Sequence, residues 1–139
     1  MPVIVVTRLR LRDPALLDEF FTDAVAAIEQ AQKAKGNLGA DALADASNAW
    51  WSVSAWQDRS VMQAFVGSQP HLGISARLDH YCDEATFVDW EQPNADLPDW
   101  QACWRRLVAD GVSAKLTNES DANQTRAFPA PVVSPPAVS

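Results

Sequence analysis

His71 is one of two histidines in the chain, and it follows Pro70 just after a Gly67-Ser68 break in an apolar helical run. A free imidazole titrates near ~6.5. Placed there it can act as a general base or as an axial ligand to haem iron, against the plainer role of a first-turn histidine bonded to backbone or facing water. Upstream runs Trp50-Trp51-Ser52-Val53-Ser54-Ala55-Trp56. As a strand it places Trp50, Ser52, Ser54 and Trp56 on one face and Trp51, Val53 and Ala55 on the other. An indole suits stacking on an aromatic ligand, so Trp56, and with it Trp50, is a candidate ligand wall, with dimer packing as the rival role. Phe65 would line the same apolar pocket. Arg77, close to Asp79, can hold a ligand anion or form a surface ion pair. His80, beside Tyr81, reads as a structural or surface residue.

Other chemistries lack their residues. Cys82 and Cys103 form no CxxC, and His80 near Cys82 is too few ligands for zinc; both read as buried thiols with no disulfide. No metal site is expected. The glycines fit neither GxGxxG nor GxxxxGK, and no GxSxG turn occurs. That sets aside nucleotide-dependent and serine-hydrolase readings. The net charge of −7 over 139 residues argues against nucleic acid and anionic membrane surfaces. No run approaches the ~20 apolar residues of a spanning helix. MPVIVVTRLRLRD has its apolar residues ahead of its basic ones, the reverse of a secretory signal. The cytoplasm is the expected location.

The elements that must position these residues follow from periodicity. Val3 to Leu9 reads as a first strand. Asp13-Pro14 starts a helix with Leu17, Phe21, Ala24 and Ile28 as a stripe, widened by Leu16, Phe20, Ala27 and Ala31, ending near Gly36. A weak second strand lies near Gly39 to Ala46, at an edge or bulged. Trp50 to Trp56 is the third strand. Asp58 caps a helix with Val61, Met62, Phe65 and Val66, which Pro70 restarts toward Tyr81. Thr86 to Glu91 is the fourth strand. Leu97-Pro98-Asp99 opens a last helix with Trp100, Cys103, Trp104 and Leu107, ending at Gly111. Arg8, Arg10 and Arg12 share one face of the first strand and are expected at a solvated or interface edge.

The order β-α-β-β-α-β plus a C-terminal helix is the α+β ferredoxin-like pattern, a four-stranded antiparallel sheet with helices on one face. An aromatic strand in such a sheet leaves an apolar face that a second copy would cover, so a homodimer is expected. The organisation is a domain over residues 1–116 and a tail over 117–139 rich in Pro, Ser and Ala. That tail is expected to be flexible and dispensable for folding.

Gly36-Asn37-Leu38-Gly39, Ser52-Val53-Ser54-Ala55-Trp56, Met62-Gln63-Ala64-Phe65 and His71 together resemble the dimeric α/β-barrel superfamily. Within it they are most similar to antibiotic-biosynthesis-monooxygenase-like proteins and a branch that resembles spheroidene monooxygenase, over roughly Pro2 to Gly111. The resemblance implies a homodimer whose sheets form a barrel, with a pocket between each sheet and its own helices. It also implies Asn48, Trp56 and Arg77 as counterparts of the Asn, Trp and Arg that the usual cofactor-free oxygenase sets around its substrate. Members include cofactor-free oxygenases, haem-degrading enzymes, haem peroxidases and non-catalytic proteins, and fold does not choose among them.

Three functions are therefore in play. The first is a small oxygenase-like protein binding an apolar or aromatic metabolite. The second is a non-catalytic dimeric ligand-binding or interaction protein. The third is a haem-binding protein using His71, so that the cofactor is either none or haem.

Overall fold

Val3–Leu11, led by β-branched residues, forms β1, a central strand bonded on both sides. The computed structural model describes residues 1–132. A 3-10 turn at Pro14–Leu16, where the Asp13 carboxylate accepts from the Ala15 N–H, leads into α1 (Leu17–Lys33). Then come β2 (Asn37–Ala44), β3 (Ala49–Trp56), α2 (Arg59–Val66), α3 (His71–Ala76), α4 (Leu78–Tyr81) and β4 (Cys82–Glu91). The chain continues through α5 (Trp100–Asp110), β5 (Val112–Ser113) and α6 (Asp121–Thr125). The antiparallel sheet has the order β2-β3-β1-β4-β5. Its first four strands give the ferredoxin-like arrangement expected from the pattern. The α2 and α5 starts are set as their sequences demand: Asp58 accepts from Val61 N–H and Asp99 from Ala102 N–H.

Register decides what each face buries. Ile4, Val6 and Arg8 stand opposite Ala55, Val53 and Trp51 on β3, and opposite Trp90, Val88 and Thr86 on β4. With Cys103 and Leu107 of α5 and with Phe128 they form one core, on the face away from α1 to α4. The helix-side face carries two smaller cores. Leu9, Leu11, Ala85, Phe20, Ala24 and Tyr81 pack at one end; Val3, Trp56, Ala31 and Met62 pack at the other.

Several expectations change. The face assigned to a second copy is covered by α5 and Phe128 of the same chain, leaving Ile4, Val6 and Trp51 at 0% exposure. The α1 stripe is rotated: Phe20, Ala24 and Ala31 are buried against the sheet, whereas Leu17 and Phe21 are exposed. β4 begins at Cys82 rather than Thr86. Its polar opening hides the strand, since Glu84 is buried against Arg8 at 2.6 Å. Arg8 is 1% exposed rather than at a solvated edge, with its guanidinium 4.3 Å from the Phe128 ring centre and 5.5 Å from that of Trp51.

The tail is not extended from Thr117. The Thr117 N–H and hydroxyl bond Asp79, Ser120 Oγ bonds Glu84, and Asn123 accepts from Ala85 N–H while donating to the Ala114 carbonyl. Phe128 is 3% exposed. Composition misses this because a few anchors in a polar run suffice to dock it. The tail's last residues, 133–139, lie outside the described residues.

Cys82 and Cys103 are both buried and unpaired, on opposite sides of the sheet. Burial, with Asp83 and Asp99 nearby, pushes both thiols up to about 12. A thiol reagent at mildly alkaline pH is therefore expected to leave the native protein almost unmodified and to label two cysteines after denaturation. Rapid labelling of the native chain would contradict this packing.

Candidate functional site

The chain breaks after α2 at Gly67 and turns through Ser68-Gln69-Pro70, so that His71 opens α3 beside α2 and α1. Gln30 of α1 fixes that turn. Its side-chain oxygen accepts from the His71 N–H at 2.8 Å, and its amide nitrogen donates to the carbonyls of Phe65 and Ser68. The His71 ring lies against Phe65 at 4.7 Å, and Phe65 in turn stacks on Trp56 at 4.8 Å and 26°.

The imidazole is half-buried. Its Nδ1 lies 3.2 Å from the Val66 carbonyl and 3.3 Å from Ser75 Oγ. A carbonyl can only accept, so Nδ1 is assigned the proton and Nε2 the lone pair. Burial holds the imidazole below its ordinary 6.5, partly opposed by the Val66 carbonyl. His71 is thus a neutral base at neutral pH with a defined accepting atom.

The other candidates divide between the two ends of the helix-side face. Trp56, Phe65 and His71 stand at the Val3 end of β1. Trp50 pairs with Leu9 at the far end, six residues along β3 and roughly 20 Å away at about 3.3 Å per residue. There it meets Phe20 at 6.1 Å and Phe21 at 6.4 Å edge-on, and Phe20 meets Tyr81 at 5.4 Å. Arg77 belongs to that end: it pairs with both carboxylate oxygens of Asp23 at 3.1 Å, and Tyr81 donates to the same carboxylate at 2.6 Å. Burial would raise the Asp23 carboxyl, but the bonds from Arg77 and Tyr81 outweigh it and hold the group below its usual range. Burial and the Asp23 charge push the Tyr81 hydroxyl up to about 12. Asn48 is exposed in the β2–β3 turn with φ 63, and its carbonyl accepts from Leu11 N–H. His80 is exposed, 3.4 Å from Glu19.

Trp56 itself is 0% exposed behind Phe65. The surface that anything entering from outside meets at this end is Phe65 and His71, with Trp56 as the backing plate. Between the two aromatic ends the sheet carries Val5, Thr7, Ser52 and Ser54, which pair across β1 and β3 as Val5–Ser54 and Thr7–Ser52. All four are half-buried although they sit mid-strand at the sheet centre under a helical layer. α1 delivers Ala24 to one end and Ala31 to the other, with Ala27 and Ile28, each a turn from both and each half-buried, between them. The four strand residues still keep part of their surface exposed, so the helices leave the middle of this face incompletely sealed. Thr7, Ser52 and Gln30 are the residues sequence reading missed. The alternation of Ser52 and Ser54 inside an apolar strand was the available signal for the first two; nothing local marks Gln30, whose partners lie 35 to 41 positions away. Two open depressions of about 450 and 440 Å³ lie on the α5–α6 layer, and none of the candidates lines them.

Haem fits this arrangement poorly. His71 offers one donor atom, Nε2, but Phe65 and Trp56 fill the space on one side of its ring. Arg59, at the start of α2, and Arg77, just after α3, are engaged by Asp89 and Asp23 rather than free for propionates. No group of three His, Cys, Asp or Glu side chains able to hold a metal occurs among the described residues.

The family model for antibiotic biosynthesis monooxygenase matches residues 2–77. No curated protein sequence matches the chain. Solved structures do. Rv0793 from Mycobacterium tuberculosis superposes with a TM-score of 0.62 at 17% identity, over 68% of this chain and 97% of that one. A conserved protein from Methanosarcina mazei Go1 gives 0.59 at 17% identity, over 66% and 93%. SnoaB, a cofactor-independent oxygenase from Streptomyces nogalater, gives 0.56 at 14% identity, over 70% and 98%.

Proposed function

Since the chain belongs to the antibiotic biosynthesis monooxygenase family, we propose that it binds an apolar or aromatic small molecule between its sheet and its helices and acts on it as an oxygenase, with His71 as proton acceptor. The observation that carries this reading is the half-buried centre of the helix-side face, floored by Val5, Thr7, Ser52 and Ser54 and bounded by aromatic side chains at both ends. Apolar walls with a few hydroxyls are what a small-molecule site requires. The hydroxyls of Thr7 and Ser52 can orient a ligand's oxygen, while the Ser54 hydroxyl already accepts from Trp56 Nε1 at 2.9 Å.

His71 supplies the base. A phenolic substrate would pass its proton to Nε2, giving a phenolate and an imidazolium whose Nδ1–H stays on the Val66 carbonyl. An electron-rich phenolate is the form that dioxygen, the co-substrate of an oxygenase, can oxidise. SnoaB is a cofactor-independent oxygenase of the same fold, which supports this reading. Phe65 and His71 are the contacts we assign to the ligand, with Trp56 holding Phe65 in place. Trp50 would bound the far end. Arg77 and Asn48, drawn off to Asp23 and to a turn, play no part in it. The unsealed centre lies within one chain, so this binding does not need the homodimer that the strand pattern suggests. Two unpaired buried thiols suit the reducing cytoplasm proposed from composition.

The test is a titration with a dihydroxynaphthalene, a phenol at the reduced oxidation level, read by tryptophan quenching, followed by oxygen uptake. His71→Ala is expected to leave the melting temperature within a few degrees and to abolish oxygen uptake. Rates in the unsubstituted protein should fall on the acid side with a midpoint below 6.5, since the folded imidazole protonates only below its ordinary value. Unchanged binding and uptake in His71→Ala would defeat the catalytic role and favour a non-catalytic binding protein.

A further inference from the structure

The joint between α2 and α3 leaves backbone groups that neither helix can satisfy, the last carbonyls of one and the first N–H groups of the other. Pro70, at the capping position of α3, offers no acceptor side chain. A side chain from a third helix supplies the partner instead. Gln30 of α1 accepts from the His71 N–H at 2.8 Å through Oε1. Through Nε2 it donates to the Phe65 carbonyl at 3.4 Å and to the Ser68 carbonyl at 3.3 Å. Both ends of its amide are thus spent across one joint. Two of the residues it joins, Phe65 and His71, are the ones assigned to the ligand. Across the same joint the imidazole Nδ1 meets the Val66 carbonyl at 3.2 Å. That ring contact lasts only while the end of α2 and the start of α3 keep their relative places.

Resting on the oxygenase reading above, we propose that Gln30 is the positioning residue of the site. It keeps the imidazole of His71 beside Phe65, with Nε2 left as the accepting atom, and so acts on turnover through His71 without touching the ligand. Phe65 has a second support, its stack on Trp56 at 4.8 Å. Loss of Gln30 therefore frees the histidine more than the phenylalanine. A base displaced by roughly 1 Å can cost about 100-fold in rate, while an aromatic wall still in place keeps the ligand bound. A freed imidazole also gains water, and its titration rises toward 6.5, because burial is what lowers it. Charges around the ring are few and engaged. α2 carries Arg59 alone, held by Asp89 of β4, and Arg77 just after α3 is held by Asp23 of α1. Glu29 and Lys33, the charged neighbours of Gln30 on α1, are exposed.

Gln30→Leu, close in size and without the three bonds, tests this beside the unsubstituted chain. The ring proton resonances of the two histidines are followed against pH, and His71→Ala assigns the one that matters. Turnover is read as oxygen uptake with a dihydroxynaphthalene, and affinity by tryptophan quenching. The variant is expected to titrate His71 higher than the unsubstituted chain does, closer to 6.5. It is also expected to lose roughly 10–100-fold in turnover while affinity stays within about threefold, the split of an interaction that acts through the reacting group. An unmoved His71 titration, or an affinity that falls as far as turnover, overturns the proposal. Should Gln30→Leu lose helix content by circular dichroism, Gln30→Met takes its place with the same readouts. Oxygen uptake absent from the unsubstituted chain defeats the oxygenase reading itself, and the His71 titration still decides whether Gln30 holds the ring.

Discussion

Arg8→Met is expected to destabilise the fold by about 3–5 kcal/mol, the range for removing one partner of a buried ion pair. Glu84 is 5% exposed, and Arg8 is its shortest contact at 2.6 Å. Without Arg8 the carboxylate keeps only Ser120 Oγ at 2.9 Å and Arg10 at 3.5 Å. The substitution also strips the cation from beneath Phe128. Arg8 is itself incompletely satisfied, since its Nε is buried with no partner, so the pair carries a standing desolvation cost. The double change Arg8→Met/Glu84→Met is accordingly expected to lose less than either single one. Urea midpoints at constant slope measure both expectations. A single-variant loss under about 1 kcal/mol would mean that water reaches the carboxylate and that the site is not dry.

Phe128→Ala ranks next, at about 3–5 kcal/mol, the usual cost of truncating a buried aromatic. For a domain of this size that is a fall of roughly 10 °C or more in melting temperature. Phe128 closes the larger core edge-on against Trp51 at 6.2 Å and anchors the return of the chain. Composition points the other way, toward a dispensable tail. A thermal scan decides between them: a variant melting within a degree or two of the parent protein would restore the dispensable tail.

How much was legible in the sequence depends on how local each signal is. The four strands of the ferredoxin-like unit, the Asp58 and Asp99 caps and the break before His71 depend on neighbours within a turn or a strand, and periodicity reads such things. The phase of α1 was misread because Leu17 and Phe21 match a helical stripe as well as Phe20 and Ala24 do. Only the sheet decides which stripe faces inward. Arg8, Arg10 and Arg12 look alike in a row of alternating leucines. What separates them is Glu84, 76 positions away, which buries the first, while Arg10 reaches Asp83 and Arg12 turns to the His80 carbonyl. The same distance hid the tail's docking. Of the candidate site, His71, Phe65 and Trp56 were readable and do come together. Trp50, Asn48 and Arg77 were grouped with them, but strand length holds Trp50 far from His71 and Asp23 ties Arg77 beside Tyr81.

β2 has no strand beyond it in the described residues, so its eight residues, Asn37–Ala44, present an outer backbone edge. An edge of that length is a template on which like chains can polymerise. Its defences are modest: a register shift between Asn37 and Gly39, weakly strand-forming alanines, and the exposed Asp41. Most of the remaining protection is mutual repulsion between chains of charge −7. That repulsion vanishes as the pH approaches the isoelectric point near 4.6. Mild acid should thus threaten this protein through colloidal failure while the fold is still intact, and precipitation would precede melting. A lysine in place of Ala42 would guard the edge at neutral pH and carry the isoelectric point upward.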